Sequence, residues 1–327
     1  DGGALITLLE MAFASRCGLD IRVSDPIADL FNEELGCIIQ VSNHNQATVL
    51  KELAKIGLKD HTKSIAKINE SDEIIIYHND LKVYKDRRDN LQELWSSTSY
   101  QIAKLRDNPE CAKSENSELS KTSSGLITSP SFDINETITA PYINQGVKPK
   151  IAILREQGIN GHIEMAAAFS KAGFEANDVH MSQILSGEIS LSKFKGLAAC
   201  GGFSYGDVLG AGRGWANSSL LNQRAKDELS EYFLRNDSFT LGVCNGCQMI
   251  SNLQEIIPGT DNWPSFERNT SEQFEARFTG VKINYSNSIL FSGMQDSVMP
   301  IAIAHGEGRA SFKSKLAENN ITMQYVD

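Results

Sequence analysis

The chain has 327 residues, room for about two domains, and its 41% hydrophobic and 22% charged residues are typical of a soluble globular protein. A net charge of −10 argues against nucleic-acid or membrane-surface partners, because both require a basic face. No run reaches the ~18 apolar residues that span a bilayer, no signal peptide opens the chain, and six cysteines are too few for a disulfide framework, so the sequence predicts a cytoplasmic protein.

Residues 1–90 alternate helical and strand patterns. The apolar run 5–14 predicts a buried helix, and residues 46–56 predict a second helix that Gly57 ends in a left-handed conformation. Residues 36–41 and 73–77 are rich in isoleucine and valine, which predicts two strands. This region is therefore expected to be an α+β piece.

Residues 91–147 have a different composition. A helix is predicted over 91–105, and residues 114–131 are rich in serine, threonine and glutamate, which is typical of a connector.

An alternation of predicted strands and helices begins at Lys150. Strands are predicted at 151–154, 196–200 and 240–244, and helices at 164–172, 220–234 and 245–253. Short apolar strands that alternate with helices predict an α/β fold with a doubly wound, mostly parallel sheet, as in flavodoxin-like proteins. An active site would lie at the carboxyl ends of its strands.

The segment 242–248, with the sequence GVCNGCQ, places a cysteine between a predicted strand and a predicted helix. The spacing G-x-C-x-G is typical of a nucleophile elbow, in which glycines on both sides make room for a strained turn. A helix N-terminus favours the thiolate of Cys244. The N–H of Asn245 is then a candidate donor to a developing oxyanion.

Two other readings of this segment remain open. Cys244 and Cys247 have the C-x-x-C spacing of a redox pair, and they could also form half of a zinc site. Gly242 and the Asn-Gly interior fit the elbow better, and the sequence contains no second C-x-x-C. The remaining cysteines are predicted to be inert packing residues; they are Cys17, Cys37, Cys111 and Cys200.

A second glycine-rich segment, 201–207 with the sequence GGFSYGD, follows a predicted buried strand. Gly201 and Gly202 let the backbone approach a substrate carbonyl closely, so the N–H of Gly202 is a candidate second oxyanion donor. Without the elbow, an ordinary glycine turn would be the better explanation of the segment, but beside the elbow the oxyanion donor is favoured.

Five segments together resemble the glutaminase domain of the phosphoribosylformylglycinamidine synthase family. They are 155–160 (REQGIN), 201–207, 242–248, 268–277 (RNTSEQFEAR) and 305–309 (HGEGR). The resemblance implies a class I glutamine amidotransferase in which Cys244 forms a thioester with glutamine and ammonia is released. It implies no metal site, and it implies substrate contacts by Gly201, Phe203, Gln248, Asn269 and Ser271. For the last three, an ordinary hydrogen bond within a helix or loop is an equally good reading.

The first part of the chain resembles the end of the synthetase lobe of the same family, which is similar to aminoimidazole ribonucleotide synthetase. The resemblance is carried by residues 1–3 and by 105–111 (LRDNPEC). It implies three regions: the end of an ATP-dependent lobe at 1–90, a helix and connector at 91–147, and a glutaminase domain at 148–327.

The resemblance also implies the reaction of the whole enzyme. Ammonia from glutamine passes through a channel to the synthetase lobe, where ATP and Mg²⁺ support conversion of formylglycinamide ribonucleotide to the amidine. The magnesium-binding Asp and the ATP-contacting Ser of the family precede Asp1, so this chain, expected to be cut at both ends, is predicted to bind neither ATP nor Mg²⁺ alone.

A thiol nucleophile requires a general base, normally a histidine that a carboxylate orients. His305 and Glu307 have the required spacing, and the residues alone would favour this pair. The resemblance instead assigns the base to a Pro-His-Pro-Glu-Arg segment that this chain lacks, and it assigns His305 to the pocket or a domain interface. The chain alone is therefore expected to have no glutaminase activity.

Two functions of other classes are compatible with parts of the pattern. A non-catalytic module on the same fold would fit the missing base. Another cysteine hydrolase on a flavodoxin-like fold would need a base within this chain, and the 201–207 segment argues against it.

Overall fold

The computed structural model describes residues 2–121, 125–143, 146–314 and 320–326. The chain forms two compact units that divide between residues 123 and 124. The region predicted as a helix and connector is shared between them, with residues 91–123 in the first unit and 124–147 in the second. The predicted connector contains residues 122–124, which lie outside the described residues.

The first unit is an α+β assembly around one sheet of mixed direction. Strand β1 pairs parallel with β3, and the other neighbours pair antiparallel in the order β2-β1-β3-β4. The described elements are α1 (Gly3–Ser15), β1 (Gly18–Val23), α2 (Pro26–Phe31), α3 (Gln46–Lys55), β2 (Ala66–Asn69), β3 (Glu73–His78), β4 (Leu81–Arg87), α4 (Arg88–Arg106) and α5 (Pro109–Ser117).

The core of this unit explains which predicted elements form. Helix α1 buries Leu8 and Phe13 against Ile21 of β1 and Ile74 of β3, because its apolar run continues over three turns. The predicted helices 5–14, 46–56 and 91–105 and the strand 73–77 are confirmed. Gly57 has a φ of +84°, as expected of a residue that ends a helix.

The strand predicted at 36–41 is wrong. These residues form no regular element and are mostly exposed. The strands that pair with β3 are β1 and β4, so both edges of β3 are occupied without residues 36–41. The predicted connector is also partly helical, because α5 continues to Ser117.

Among the described residues, the second unit contains the predicted parallel sheet and two separate antiparallel sheets, with the strand orders β11-β10-β13 and β12-β9. The described elements are α6 (Ala140–Ile143), β5 (Lys150–Arg155), α7 (His162–Lys171), β6 (Glu175–His180), α8 (Met181–Ser186), β7 (Gly196–Ala199), α9 (Arg213–Leu220), α10 (Gln223–Phe233), β8 (Phe239–Gly242), α11 (Asn245–Ser251), β9 (Ser265–Glu267), β10 (Glu275–Ile283), β11 (Val298–His305), β12 (Arg309–Ser311) and β13 (Met323–Val326).

The parallel sheet has the strand order β6-β5-β7-β8, and every neighbouring pair is parallel. All of β7 and the apolar residues of β5 are buried, because these two central strands pack into the core of the unit. The doubly wound α/β fold is therefore confirmed. The helix predicted at 220–234 is confirmed as α10, which begins three residues later than predicted because the Asn222 side chain accepts a hydrogen bond from the N–H of Ala225 (3.1 Å) and caps the helix there.

The strand order places three of the five resemblance segments at one edge. The chain leaves β5 toward β6 on one side, whereas β7 and β8 lie on the other side. Such a reversal opens a crevice at the carboxyl ends of the strands. Segments 155–160, 201–207 and 242–248 follow the carboxyl ends of β5, β7 and β8 and therefore meet at this edge.

Candidate active site

Cys244 lies in the strained turn that its spacing predicts. It directly precedes α11 and has φ 53° and ψ −119°, a conformation that residues other than glycine avoid. Such a backbone costs on the order of 1–3 kcal/mol and persists only where the surrounding structure enforces it. The residue is exposed, so the turn presents the thiol to solvent. Its assignment as a nucleophile remains a prediction.

Two glycines make this turn possible. A Cβ on Gly242 would lie 2.8 Å from Cys247 Cα. A Cβ on Gly246 would overlap the carbonyl oxygen of Ala199 in β7, so the first turn of α11 packs directly on the neighbouring strand. Both contacts are with backbone atoms, which cannot rotate away as a side chain can.

The glycine loop 201–207 lies beside Cys244. A Cβ on Gly201 would be 3.0 Å from Cys244 Cβ. The N–H of Phe203 donates to the carbonyl of Gly158 (2.9 Å), and Gly202 approaches that segment so closely that a Cβ would lie 2.6 Å from the Gly158 oxygen. The loop is thereby anchored to the segment that follows β5, and Phe203 keeps an exposed side chain.

Two backbone donors are unused near the thiol. In the described part of the chain, neither the N–H of Gly202 nor that of Asn245 forms a hydrogen bond. Asn245 follows the cysteine directly, and Gly202 follows the glycine that packs against it. Preorganised N–H groups of this kind stabilise an oxyanion, so the arrangement is compatible with the predicted oxyanion hole.

The side chain of Asn245 is buried and fully engaged. Its Oδ1 accepts from the N–H of Ser204 (3.1 Å), and its Nδ2 donates to both carboxylate oxygens of Asp207 (2.9 Å each) and to Oε1 of Gln248 (3.0 Å). Asp207 Oδ1 also accepts from the N–H of Gly212 (3.2 Å). A polar network therefore connects the glycine loop to the nucleophile helix.

Gln248 extends this network to the 305–309 segment. Its Nε2 donates to the carbonyl oxygen of Glu307 (2.7 Å), and its Oε1 is occupied by Asn245. The Glu307 carboxylate accepts from the N–H of Ala211 (2.7 Å). Both ends of the Gln248 amide thus have partners within the protein, and contact with glutamine remains a prediction.

His305 is held by Asn269. Asn269 is 7% exposed, and its Nδ2 donates to the carbonyls of Gln273 (3.0 Å) and His305 (2.7 Å). Its Oδ1 therefore faces the N–H of Gly308 (3.0 Å) and Nδ1 of His305 (3.0 Å), which must carry a proton to donate. The neutral ring would keep Nε2 free as an acceptor.

His305 and Glu307 do not form the pair that their spacing suggests. The imidazole bonds to Asn269, whereas the Glu307 carboxylate bonds to the backbone of Ala211. Ser271 lies in the same region, where its Oγ accepts from the N–H of Gln273 (3.4 Å). A hydrogen bond from the Ser271 side chain also helps to hold the pKa of Glu275 below its usual value.

The other cysteines differ in burial. Cys200 is fully buried at the end of β7, and this burial raises the pKa of its thiol to about 11. Burial also raises the pKa of the Cys247 thiol. Cys37 is exposed, so its prediction as a buried packing residue is wrong; it lies in the irregular segment that was expected to be a strand.

These environments predict a selective alkylation pattern. At pH 8, a thiol of pKa about 11 is ionised in roughly one molecule in a thousand, so Cys200 should resist iodoacetamide in the folded protein. Exposed Cys244 and Cys37 should react within the same experiment. Peptide mass mapping after timed quenching measures each rate, and denatured protein is the control. Fast labelling of Cys200 in the folded chain would contradict its burial.

Two further observations concern metals and membranes. Among the residues that the structure describes, no group of three or more histidine, cysteine, aspartate or glutamate side chains is placed to hold a metal ion. Within the same residues, the helices are too short or too polar to cross a membrane.

Comparison with known proteins identifies the family. Residues 148–327 match the CobB/CobQ-like glutamine amidotransferase domain, and the chain therefore belongs to this family. Two solved structures from Thermotoga maritima are similar to it. PurLQS is 22% identical with a TM-score of 0.45, over 55% of this chain and 76% of that chain. A glutamine amidotransferase is 18% identical with a TM-score of 0.33, over 51% of this chain and 63% of that one.

Proposed function

We propose that the second unit supplies the cysteine nucleophile for glutamine hydrolysis in the enzyme that contains this chain, and that the ammonia is used in a ligase reaction. The thiolate of Cys244 attacks the carboxamide carbon, and the carbonyl electrons move onto oxygen between the N–H groups of Gly202 and Asn245. The leaving nitrogen takes the proton that the thiol gave to the general base, the carbon–nitrogen bond breaks, and ammonia departs to leave a γ-glutamyl thioester. Water then releases glutamate and restores the thiol. The observation that carries the proposal is the strained, exposed Cys244 beside two unused backbone donors.

The acceptor is proposed from the sequence resemblance. Five segments match the phosphoribosylformylglycinamidine synthase family, so we take formylglycinamide ribonucleotide as the molecule that receives the ammonia. ATP and Mg²⁺ would act in the synthetase lobe. The described residues of this chain gather no metal-binding cluster, and the proposal assigns none of them to ATP or Mg²⁺.

Covalent labelling tests the glutaminase proposal. The glutamine analogue 6-diazo-5-oxo-L-norleucine should modify Cys244 in the enzyme that contains this chain, and L-glutamine should protect the residue. L-Asparagine is the matched control, because its shorter side chain places the amide carbon away from the thiol. Labelling confined to other cysteines, or equal protection by asparagine, would overturn the proposal.

The identity of the general base has a separate test. We expect His305→Ala to reduce glutamine hydrolysis less than about tenfold, since its Nδ1 hydrogen bond organises the Asn269 loop and its ring is not paired with Glu307. A general base typically contributes about 10²–10⁴-fold. Steady-state glutamate release measures the loss, and Asn269→Ala serves for comparison. A loss near 10³-fold with His305→Ala alone would make His305 the base.

A further inference from the structure

The glycine loop contains a run of strained residues. Tyr205, Gly206 and Asp207 have φ values of 52°, 65° and 49°, so three successive residues lie in the left-handed region. Two of the three carry a Cβ, which makes this conformation unfavourable. Strain of this kind persists only where neighbouring groups enforce it.

Four groups hold this part of the loop on the nucleophile helix, and we call them the Asp207 clamp. They are the N–H of Ser204, the carboxamide of Asn245, the carboxylate of Asp207 and the N–H of Gly212. The loop passes around the side-chain amide of Asn245. The N–H of Ser204 donates to the amide oxygen, and the Asp207 carboxylate accepts from the amide nitrogen. Ser204 and Asn245 are almost completely buried, which strengthens these bonds relative to bonds in water.

The clamp joins the two segments that carry the unused N–H donors. Gly202 lies two residues before Ser204, which is part of the clamp. The second donor is the backbone N–H of Asn245, and the side chain of the same residue is the centre of the clamp. An oxyanion hole requires its donors at a fixed separation, because each must reach the same oxygen. The hydrogen bonds of the clamp hold one of these segments against the other.

An ionised carboxylate suits this position better than an amide. A carboxylate accepts at both oxygens, which matches donation from Asn245 Nδ2 to each oxygen and from Gly212 to one of them. An asparagine at 207 would place its own NH₂ against the NH₂ of Asn245. Charge-assisted hydrogen bonds are also stronger than neutral ones.

We infer that Asp207 is a positioning residue that sets the separation of the Gly202 and Asn245 oxyanion donors. The inference rests on the proposed function. It makes Asp207 a residue that acts through the backbone of the loop, without touching glutamine itself.

Two reagents separate oxyanion stabilisation from thiol reactivity. p-Nitrophenyl acetate acylates a thiolate through a tetrahedral oxyanion and releases a good leaving group without acid assistance. Iodoacetamide alkylates the same thiolate by displacement of iodide, and no oxyanion forms. Both rates are measured on the chain at one pH, with the Cys244→Ser background subtracted and the adducts located by peptide mass mapping.

Asp207→Asn should lower the acylation rate of Cys244 on the order of tenfold to a hundredfold. The alkylation rate should stay within about twofold, because the thiolate itself is unchanged. The double variant Asp207→Asn with Asn245→Asp restores a donor opposite an acceptor, and it should recover part of the loss. Asp261→Asn, at an exposed position of the same unit, is the matched control and should change neither rate.

The outcomes separate this inference from the proposed function. A parallel fall in both rates, or no change in either, would show that Asp207 does not position the donors. Selective loss of acylation without any recovery in the double variant would also count against the Asp207–Asn245 bond. Alkylation without acylation of the wild-type Cys244 would instead overturn the oxyanion hole and, with it, the proposed function.

Discussion

Replacing Cys244 with serine should abolish glutamine hydrolysis by the enzyme that contains this chain, with a loss on the order of 10⁴-fold or more. A serine hydroxyl at the same place is far less ionised than a thiol and is a much weaker nucleophile without a positioned base. The fold should be unaffected, because the side chain is exposed and nearly the same size. Glutamate release measures the loss, and the thermal unfolding midpoint should match that of the wild type.

Cys247→Ser provides the matched control. Cys247 lies one turn further along α11 and is partly buried, and burial raises the pKa of its thiol. If the two cysteines worked as a redox pair, both substitutions would be equally damaging. The elbow requires Cys244→Ser to be inactive and Cys247→Ser to retain most activity. Equal losses would favour the C-x-x-C alternative.

Gly246→Ala should destabilise the second unit by about 3 kcal/mol and remove glutaminase activity as well. The new Cβ would overlap the carbonyl oxygen of Ala199, and neither backbone can yield without displacing α11 from β7. Any displacement moves the N–H of Asn245 together with the thiol. Urea denaturation measures the change in the free energy of unfolding, and labelling with the glutamine analogue reports the loss of the site.

Gly306→Ala is the control for stability. The nearest atom to a Cβ at Gly306 is 4.0 Å away, in the Phe274 ring, which is an ordinary van der Waals contact. Its φ is not among the positive values, so an alanine fits the backbone. We expect a change within about 1 kcal/mol. Similar destabilisation by both substitutions would mean that the contact with Ala199 is not responsible.

The elbow and the parallel sheet were predictable because their signals are local. The central strands are short apolar runs, and Cys244 has glycines two residues before and after it. Each signal depends on steric requirements within a few residues, so both features can be predicted from the local sequence alone. The glycine loop was predictable for the same reason, since the close approach of Gly202 to Gly158 needs a residue without a side chain.

Other elements depend on contacts that the local sequence does not reveal. Strand β6 was not anticipated, because its polar alternation EANDVH belongs to an edge strand with one neighbour. Antiparallel β10 and β11 likewise escaped prediction. The strand predicted at 36–41 is an error in the other direction. These residues form an apolar run, but in the structure no other strand pairs with them.

The roles of the supporting residues were the hardest to predict. His305 and Glu307 have the spacing of a base and its carboxylate, but Asn269 and the backbone of Ala211 take their hydrogen bonds. Asn269 lies 36 positions before His305, and Ala211 lies 96 positions before Glu307. Asp207 received no separate prediction, because its partner Asn245 is 38 positions away.

The topology of the second unit also bears on when the environment of Cys244 forms during folding. Cys244 is held by contacts with β7, and the loop after β7 is anchored to the segment after β5. These contacts have large separations along the chain, and loop closure delays such contacts during folding. We therefore expect the strained turn at Cys244 to form only once β8 has paired with β7.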